Sequence, residues 1–159
     1  RRPHPPLRPR ADVRACINGV ADGTIDLLVT DHAPHSQEEK GRGFNAAPPG
    51  VIGLETALAI FARALVHAGH IGWPRLIELM STSPARRFRL PGGTLAAGSP
   101  ADVTIIDPQA QWTIVPSPFQ SKTRSCPFKG WTVQGRAVCT IVGGEIRYGS
   151  GLFAGLTGC

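Results

Sequence analysis

The feature that most constrains this chain is the way one short run of residues ends. Ile25 to Val29 is largely apolar and partly β-branched, and the turn-forming pair Asp22-Gly23 introduces it. A run of about 4–8 such residues suits a strand buried on both faces, as parallel strands are. It stops on Thr30-Asp31-His32-Ala33-Pro34-His35, and Pro34 forbids its continuation. A carboxylate and imidazoles at the carboxyl end of a buried parallel strand stand where α/β barrels keep their chemistry. Asp31 would have to leave water there, and a buried carboxylate needs a metal or a strong donor beside it. The competing reading is a strand followed by an Asx-type turn, with His35 on the surface. Taken alone, the stretch weighs the two evenly.

Length sets the next limit. An α/β barrel usually takes about 250 residues and at least roughly 200, whereas this chain has 159. It therefore holds part of a barrel and not a whole one. A start at Arg1-Arg2-Pro3, without Met, fits a chain cut from something longer.

Before the apolar run, residues 1–10 are rich in Pro and Arg and read as an extended loop. Val13, Cys16, Ile17 and Val20 then recur at helical spacing, predicting a short amphipathic helix that ends near Asp22-Gly23. Residues 32–50 form a long polar loop, opened by Ser36-Gln37-Glu38-Glu39 in the form of a capping box. A helix is predicted from Gly53 to Gly69 with Leu54, Ala57, Leu58, Phe61, Leu65 and Ala68 on one face. Pro74 begins a second helix through Met80, and Ser83-Pro84 an N-capped third to Phe88. His67 and His70, near a helix end, are read as serving its dipole and carbonyls in preference to a metal.

At Leu90-Pro91-Gly92-Gly93 the period changes. Five short β-branched segments follow, 102–107, 112–115, 131–135, 137–142 and 145–148, with Gly143-Gly144 as a two-residue hairpin turn between the last pair. Trp112, Phe128 and Trp131 read as core.

Thr30-Asp31-His32-Ala33-Pro34-His35, then Glu38-Glu39-Lys40, then Ala47-Pro48-Pro49-Gly50-Val51-Ile52-Gly53-Leu54-Glu55-Thr56 closely resemble dihydroorotases, which are metal-dependent amidohydrolases. Pro5-Pro6-Leu7-Arg8, Ser83-Pro84-Ala85-Arg86, Gly93-Thr94-Leu95, Phe119-x-Ser121-Lys122 and Pro127-Phe128-x-Gly130 extend the likeness nearly end to end. Pro100 to Asp107 supports the wider superfamily more than the substrate. The fold this implies is α/β: the C-terminal part of a (β/α)8 TIM barrel over residues 1–90, part of a small β-sandwich domain over 91–149, and a tail at 150–159.

The resemblance also implies roles. Asp31 would be a metal ligand and the general base of a zinc centre, binuclear in the intact enzyme by family likeness. His35 would contact the substrate's carboxylate, and the backbone at Pro49 and Gly50 the pyrimidine ring. His32 would support the turn. The remaining ligands, an early His-x-His among them, belong to parts of the barrel outside this chain, and one donor falls short of the about four a zinc site needs. The implied reaction interconverts N-carbamoyl-L-aspartate and (S)-dihydroorotate in pyrimidine synthesis, with the fragment inactive alone. Two departures stand out: His4 where the family usually has a substrate-touching Asn, and Pro49 where it usually has Phe. Imidazole lacks the paired donor and acceptor of an amide, while Pro49 keeps a carbonyl. Dihydropyrimidinase, hydantoinase or allantoinase is the enzymatic alternative, and a non-catalytic subunit scaffolding aspartate transcarbamoylase the alternative from another class.

Net charge is +6, which raises the question of nucleic acid. The arginines at 1, 2, 8, 10, 14 and 42 gather around the Asp31 region, and no basic stripe interleaved with aromatics appears. Attraction of a small anionic substrate is the expected use. The expected partners are that substrate and a homodimer or aspartate transcarbamoylase, with no nucleic acid and no membrane. Cys16, Cys126, Cys139 and Cys159 form no CxxC pair and read as reduced thiols in a cytoplasmic protein.

Overall fold

The structure, a computed structural model, describes residues 3–156. Arg1, Arg2, Cys159 and the end of the expected tail lie outside the described residues. Helix α1 (Arg10–Asp22) is followed by the short α2 (Gln37–Gly41), then α3 (Ala57–Phe61), which continues as a wide π turn over Ala62–Val66. Helix α4 (Trp73–Ile77) runs through a second π turn (Glu78–Thr82) into α5 (Ser83–Phe88). Strands β1 (Val103–Thr113), β2 (Thr132–Val142) and β3 (Glu145–Gly149) form one antiparallel sheet in the order β1-β2-β3.

Two clusters make the core. In one, Ile52 and Ala59 meet Ile114, Cys126 and Val133, so α3 and the sheet share apolar contacts. In the other, Val20, Leu65 and Leu79 join α1, the first π turn and the second. The face that α3 and its π turn bury is Ala57, Ala59, Ala62 and Leu65; Ala57 and Leu65 are on it as expected, whereas Leu54 is 62% exposed. The small residues win because the sheet comes very near. Gly135 adopts φ 96°, and a Cβ there would lie 3.0 Å from the Trp73 ring and 3.8 Å from Ala62 Cβ. Trp112 and Phe128 pack against the first cluster as expected, but Trp131 is 44% exposed, edge-on to Phe128 and beneath Arg63.

Several expected elements are differently divided. The five β segments are three strands. Pro108 cannot donate to a ladder, and β1 absorbs it in an irregularity where Asp107 Oδ1 accepts the N–H groups of Gln109 and Ala110. Opposite, Gly135 lets β2 bend without breaking. The Gly143-Gly144 turn is as expected, with φ 59° and 84° between the Val142–Glu145 pair.

The helices expected at Pro74 and at Ser83-Pro84 are one continuous rod. Pro84 lies inside it, where a ring would clash with a carbonyl one turn back; the π turn widens the helix there, with Ser83 N–H donating to Glu78 O. Pro84 offers no N–H, and the Leu79 carbonyl instead accepts the N–H of Leu28 at 3.0 Å. That bond explains the next difference. Residues 25–30 are extended but belong to no sheet. The rod holds them: Arg75 donates to Ile25 O at 3.3 Å, Arg87 pairs with Asp26, and Leu79 O takes Leu28. No strand among the described residues flanks this segment, so the expected ladder has no neighbours to form with.

Candidate active site

The extended segment delivers Asp31 at its end, exposed and in the left-handed region at φ 44°. A non-glycine residue there costs about 1–3 kcal/mol and persists only where its surroundings over-determine it. His32 and Val51 form an isolated parallel bridge, and Ala33 N–H donates to Val51 O at 3.0 Å. His32 Nδ1 accepts the N–H groups of Gly53 at 3.2 Å and Leu54 at 3.3 Å. An Nδ1 used as acceptor places the imidazole proton on Nε2. Gly53 itself lies so near Thr30 that a Cβ would stand 3.3 Å from the Thr30 carbonyl oxygen. The backbone on both sides of Asp31 is thus fastened to residues 51–54, and His32 supports the turn as expected.

Downstream, Ser36 and Glu39 form the expected capping box: Ser36 Oγ accepts Glu39 N–H at 3.1 Å and Glu39 Oε2 accepts Ser36 N–H at 2.9 Å. The backbone N–H of Ser36, with its hydroxyl, holds the Glu39 carboxyl below the usual range. The box starts α2, in which Lys40 follows Glu39 directly. His35 and Lys40 then close on the Pro48-Pro49-Gly50 turn. His35 Nε2 donates to Pro49 O at 2.8 Å, while Lys40 Nζ donates to Pro48 O at 2.8 Å and to Gly50 O at 2.6 Å. His35 Nδ1 stands 3.9 Å from Glu39 Oε2, so the other side of its ring faces a carboxylate. Gly50 is required: its φ is 122°, and a Cβ would lie 2.7 Å from Ala33 Cβ and 3.1 Å from His35 Nε2.

Of the residues expected in a site, the structure therefore brings together His35, Pro49 and Gly50. The Pro49 carbonyl, expected to face a ligand, is engaged by His35. No hydrogen bond or ion pair joins Asp31 or His4 to these three among the described residues; His4 is exposed in the segment before α1. Nor do three His, Cys, Asp or Glu side chains converge as a metal site among the described residues. A carboxylate such as Asp31 is a suitable zinc donor, and it is one of the about four required.

Lys40 was missed by the sequence reading, though a signal existed. Pro48-Pro49-Gly50 has three carbonyls and a single N–H, so donors must come from elsewhere. Glu55 was missed too. Its carboxylate accepts the Ser121 hydroxyl at 2.5 Å, Ser121 N–H at 3.1 Å and Gln120 N–H at 2.9 Å, joining the loop after Gly53 to the one before β2. Burial works to raise its pKa, but those three donors and nearby Arg124 outweigh it and hold the carboxyl below its ordinary value.

The sequence profile of the amidohydrolase family matches residues 2–147, and the chain belongs to that family. Within it, the chain is 50% identical over 145 residues to the dihydroorotase of Syntrophotalea carbinolica, covering 91% of this chain and 34% of that protein. The dihydroorotase of Brevibacillus brevis is 48% identical over 145 residues, with the same 91% and 34% coverage. Among solved structures, L-hydantoinase (dihydropyrimidinase) from Arthrobacter aurescens superposes with a TM-score of 0.87 at 33% identity, over 94% of this chain and 34% of that one. D-hydantoinase from Thermus sp. does so at 0.86 and 30% identity, over 97% and 35%. The chain thus spans about a third of the length of its relatives. No helix among the described residues is long and apolar enough to cross a membrane.

Proposed function

We propose that this chain is the C-terminal part of a zinc-dependent dihydroorotase, its residues up to about 90 completing a TIM barrel and the sheet of β1–β3 completing a small β-sandwich. The identity of about half to dihydroorotases over nine-tenths of the chain supports this. The observation that carries it is structural: the Asp31 turn and the His35–Gly50 clasp are fastened to each other through Val51, Ala33 and Gly50. The two motifs of the family likeness are therefore bonded to one another.

The reaction adds water across a cyclic amide: hydroxyl to the carbonyl carbon, proton to the departing nitrogen. When bound, zinc would lower the pKa of water and polarise the carbonyl. Asp31 would be one ligand, and its carboxylate would take the water's proton and return it to the leaving nitrogen. Its fixed backbone suits that double task. His35 would meet the substrate's carboxylate through the same Nε2–H that now donates to Pro49 O, one acceptor replacing another. His4 and the Pro49–Gly50 backbone would complete the ring contacts. Cytoplasmic placement belongs to the same reading, and Cys16, Cys126 and Cys139 are free thiols.

A second reading, hydantoin or dihydropyrimidine hydrolysis, draws on the fold likeness to hydantoinases at TM-scores of 0.86–0.87. One experiment separates them. In the enzyme at its relatives' full length, kcat and KM are measured with dihydroorotate, dihydrouracil and hydantoin, for the parent, Asp31→Asn and His35→Ala. Asp31→Asn is expected to lose at least about 10²–10⁴-fold in kcat, and His35→Ala to raise KM for dihydroorotate chiefly, since its contact is made in ground and transition states alike. Preference for dihydrouracil or hydantoin would reject the substrate. Full turnover in Asp31→Asn would reject the mechanism, and a parent inactive on all three would favour a non-catalytic scaffold.

A further inference from the structure

We propose that Lys40 is a positioning residue for substrate, acting through the Pro48-Pro49-Gly50 turn; the inference rests on the cyclic-amide hydrolase reading above. The turn has three successive carbonyl oxygens, and two side chains take all of them: Lys40 takes Pro48 O and Gly50 O, His35 takes Pro49 O. With its acceptors turned to these donors, the turn keeps one polar group for a ligand, the Gly50 N–H, which has no acceptor among the described residues. Gly50 is itself buried. A lone buried N–H is costly unless something accepts from it, and a ring carbonyl of a cyclic amide is such an acceptor.

Lys40 is suited to hold this geometry. It is half-buried, and an ammonium bonded to two carbonyls two residues apart fixes the intervening peptides more firmly than one neutral bond would. Its own place is set by the Ser36–Glu39 capping box immediately before it. Without the ammonium, Pro48 O and Gly50 O lose their donor, and His35 alone holds the turn. When bound substrate competes for His35 Nε2–H, the turn would then have no side-chain tether. The Lys40 clamp is what lets His35 exchange Pro49 O for a substrate carboxylate without releasing the turn.

The test uses the enzyme at full length, with Lys40→Met and Lys40→Arg beside the parent. Displacing positioning groups by about 1 Å can cost about 10²-fold. Lys40→Met is expected to raise KM for dihydroorotate by about 10–100-fold with kcat within about threefold, as for loss of uniform binding. Lys40→Arg, which still donates to both carbonyls, is expected to recover most of that loss. Amide exchange at Ala33 and Gly53, whose N–H groups are bonded to Val51 O and His32 Nδ1 beside the turn, should quicken in Lys40→Met while exchange in β1–β3 does not change. An unaltered KM in Lys40→Met overturns the inference and leaves the functional reading intact. So does a fall in kcat and melting temperature at constant KM, or exchange that quickens throughout the protein, either of which marks a scaffold role. A parent enzyme inactive on every cyclic amide refutes the functional reading itself, and the positioning role with it.

Discussion

Replacing Gly50 with Ala asks whether the clasp is as tightly specified as its geometry implies. At φ 122° an L side chain is strained whatever the space around it, and the strain is about 1–3 kcal/mol. Space is also absent: the new methyl would stand 2.7 Å from Ala33 Cβ and 3.1 Å from the Ala33 carbonyl oxygen. Neither neighbour is the end of a flexible side chain, so backbone must move. The cheapest movement swings the turn away from Ala33, which stretches the 2.8 Å bond from His35 to Pro49 O, worth about 1 kcal/mol net. Together these predict a local penalty of about 2–4 kcal/mol. A domain of ordinary stability survives that with the turn open and the core intact. In the full-length enzyme, Gly50→Ala should therefore speed amide exchange at Ala33, Ile52 and Gly53 by the corresponding factor and raise KM, with little change in kcat. Gly41→Ala is the control, since a Cβ at Gly41 meets nothing within 4 Å. Equal exchange in the two variants would refute the argument that the turn is held against Ala33.

Two further outcomes follow from the packing around the site. The Glu55 carboxyl is held below its ordinary value in the fold, so it contributes stability above its unfolded pKa, and this is lost as pH falls through the lower folded one. Parent and Glu55→Gln should accordingly differ in urea midpoint at about pH 7 and converge as pH falls through the lowered folded value; a gap independent of pH would reject an ionic role. Gly135→Ala, at φ 96° and 3.0 Å from the Trp73 ring, should lower stability by about 1–3 kcal/mol, and an unchanged melting temperature would show that α4 and β2 do not meet there as described.

What could be read from the sequence was chiefly what is local. The Ser36–Glu39 capping box and the Gly143-Gly144 turn each depend on residues within a few positions, and both form as the spacing predicts. Readings went astray where distant residues override a local rule. Proline is a reliable helix boundary only while the helix keeps its α pitch, and the π turn over Glu78–Thr82 removes the clash that would have ended it at Pro84. Proline likewise divides a strand only if the strand cannot bulge, and Asp107 supplies the bulge that lets β1 pass Pro108. Of the apolar residues at helical spacing from Leu54 onward, Ala57 and Leu65 are buried, while proximity of Gly135 gives the rest of that face to Ala59 and Ala62.

The site was legible in its residue types and not in its bonding. A strand end carrying Asp31 and two histidines told where chemistry could be, because polar groups so placed need partners. It did not tell that the strand would be held by a helix, through Leu79 O and Arg75. Nor did it reveal which partner His35 takes, since an imidazole can serve a carboxylate, a carbonyl or water equally. Counting donors against acceptors would have gone further. Two prolines remove two N–H groups from the turn at 48–50 and leave its carbonyls in excess, and the nearest charged donor along the chain toward the histidines, past Arg42, is Lys40. Arg42 pairs with Glu38 at 3.4 Å, and the carbonyls are taken by Lys40. The capping box thus determines which cation faces the turn: by fixing where α2 begins, it sets Lys40 one turn from Ser36 and within reach of Gly50 O.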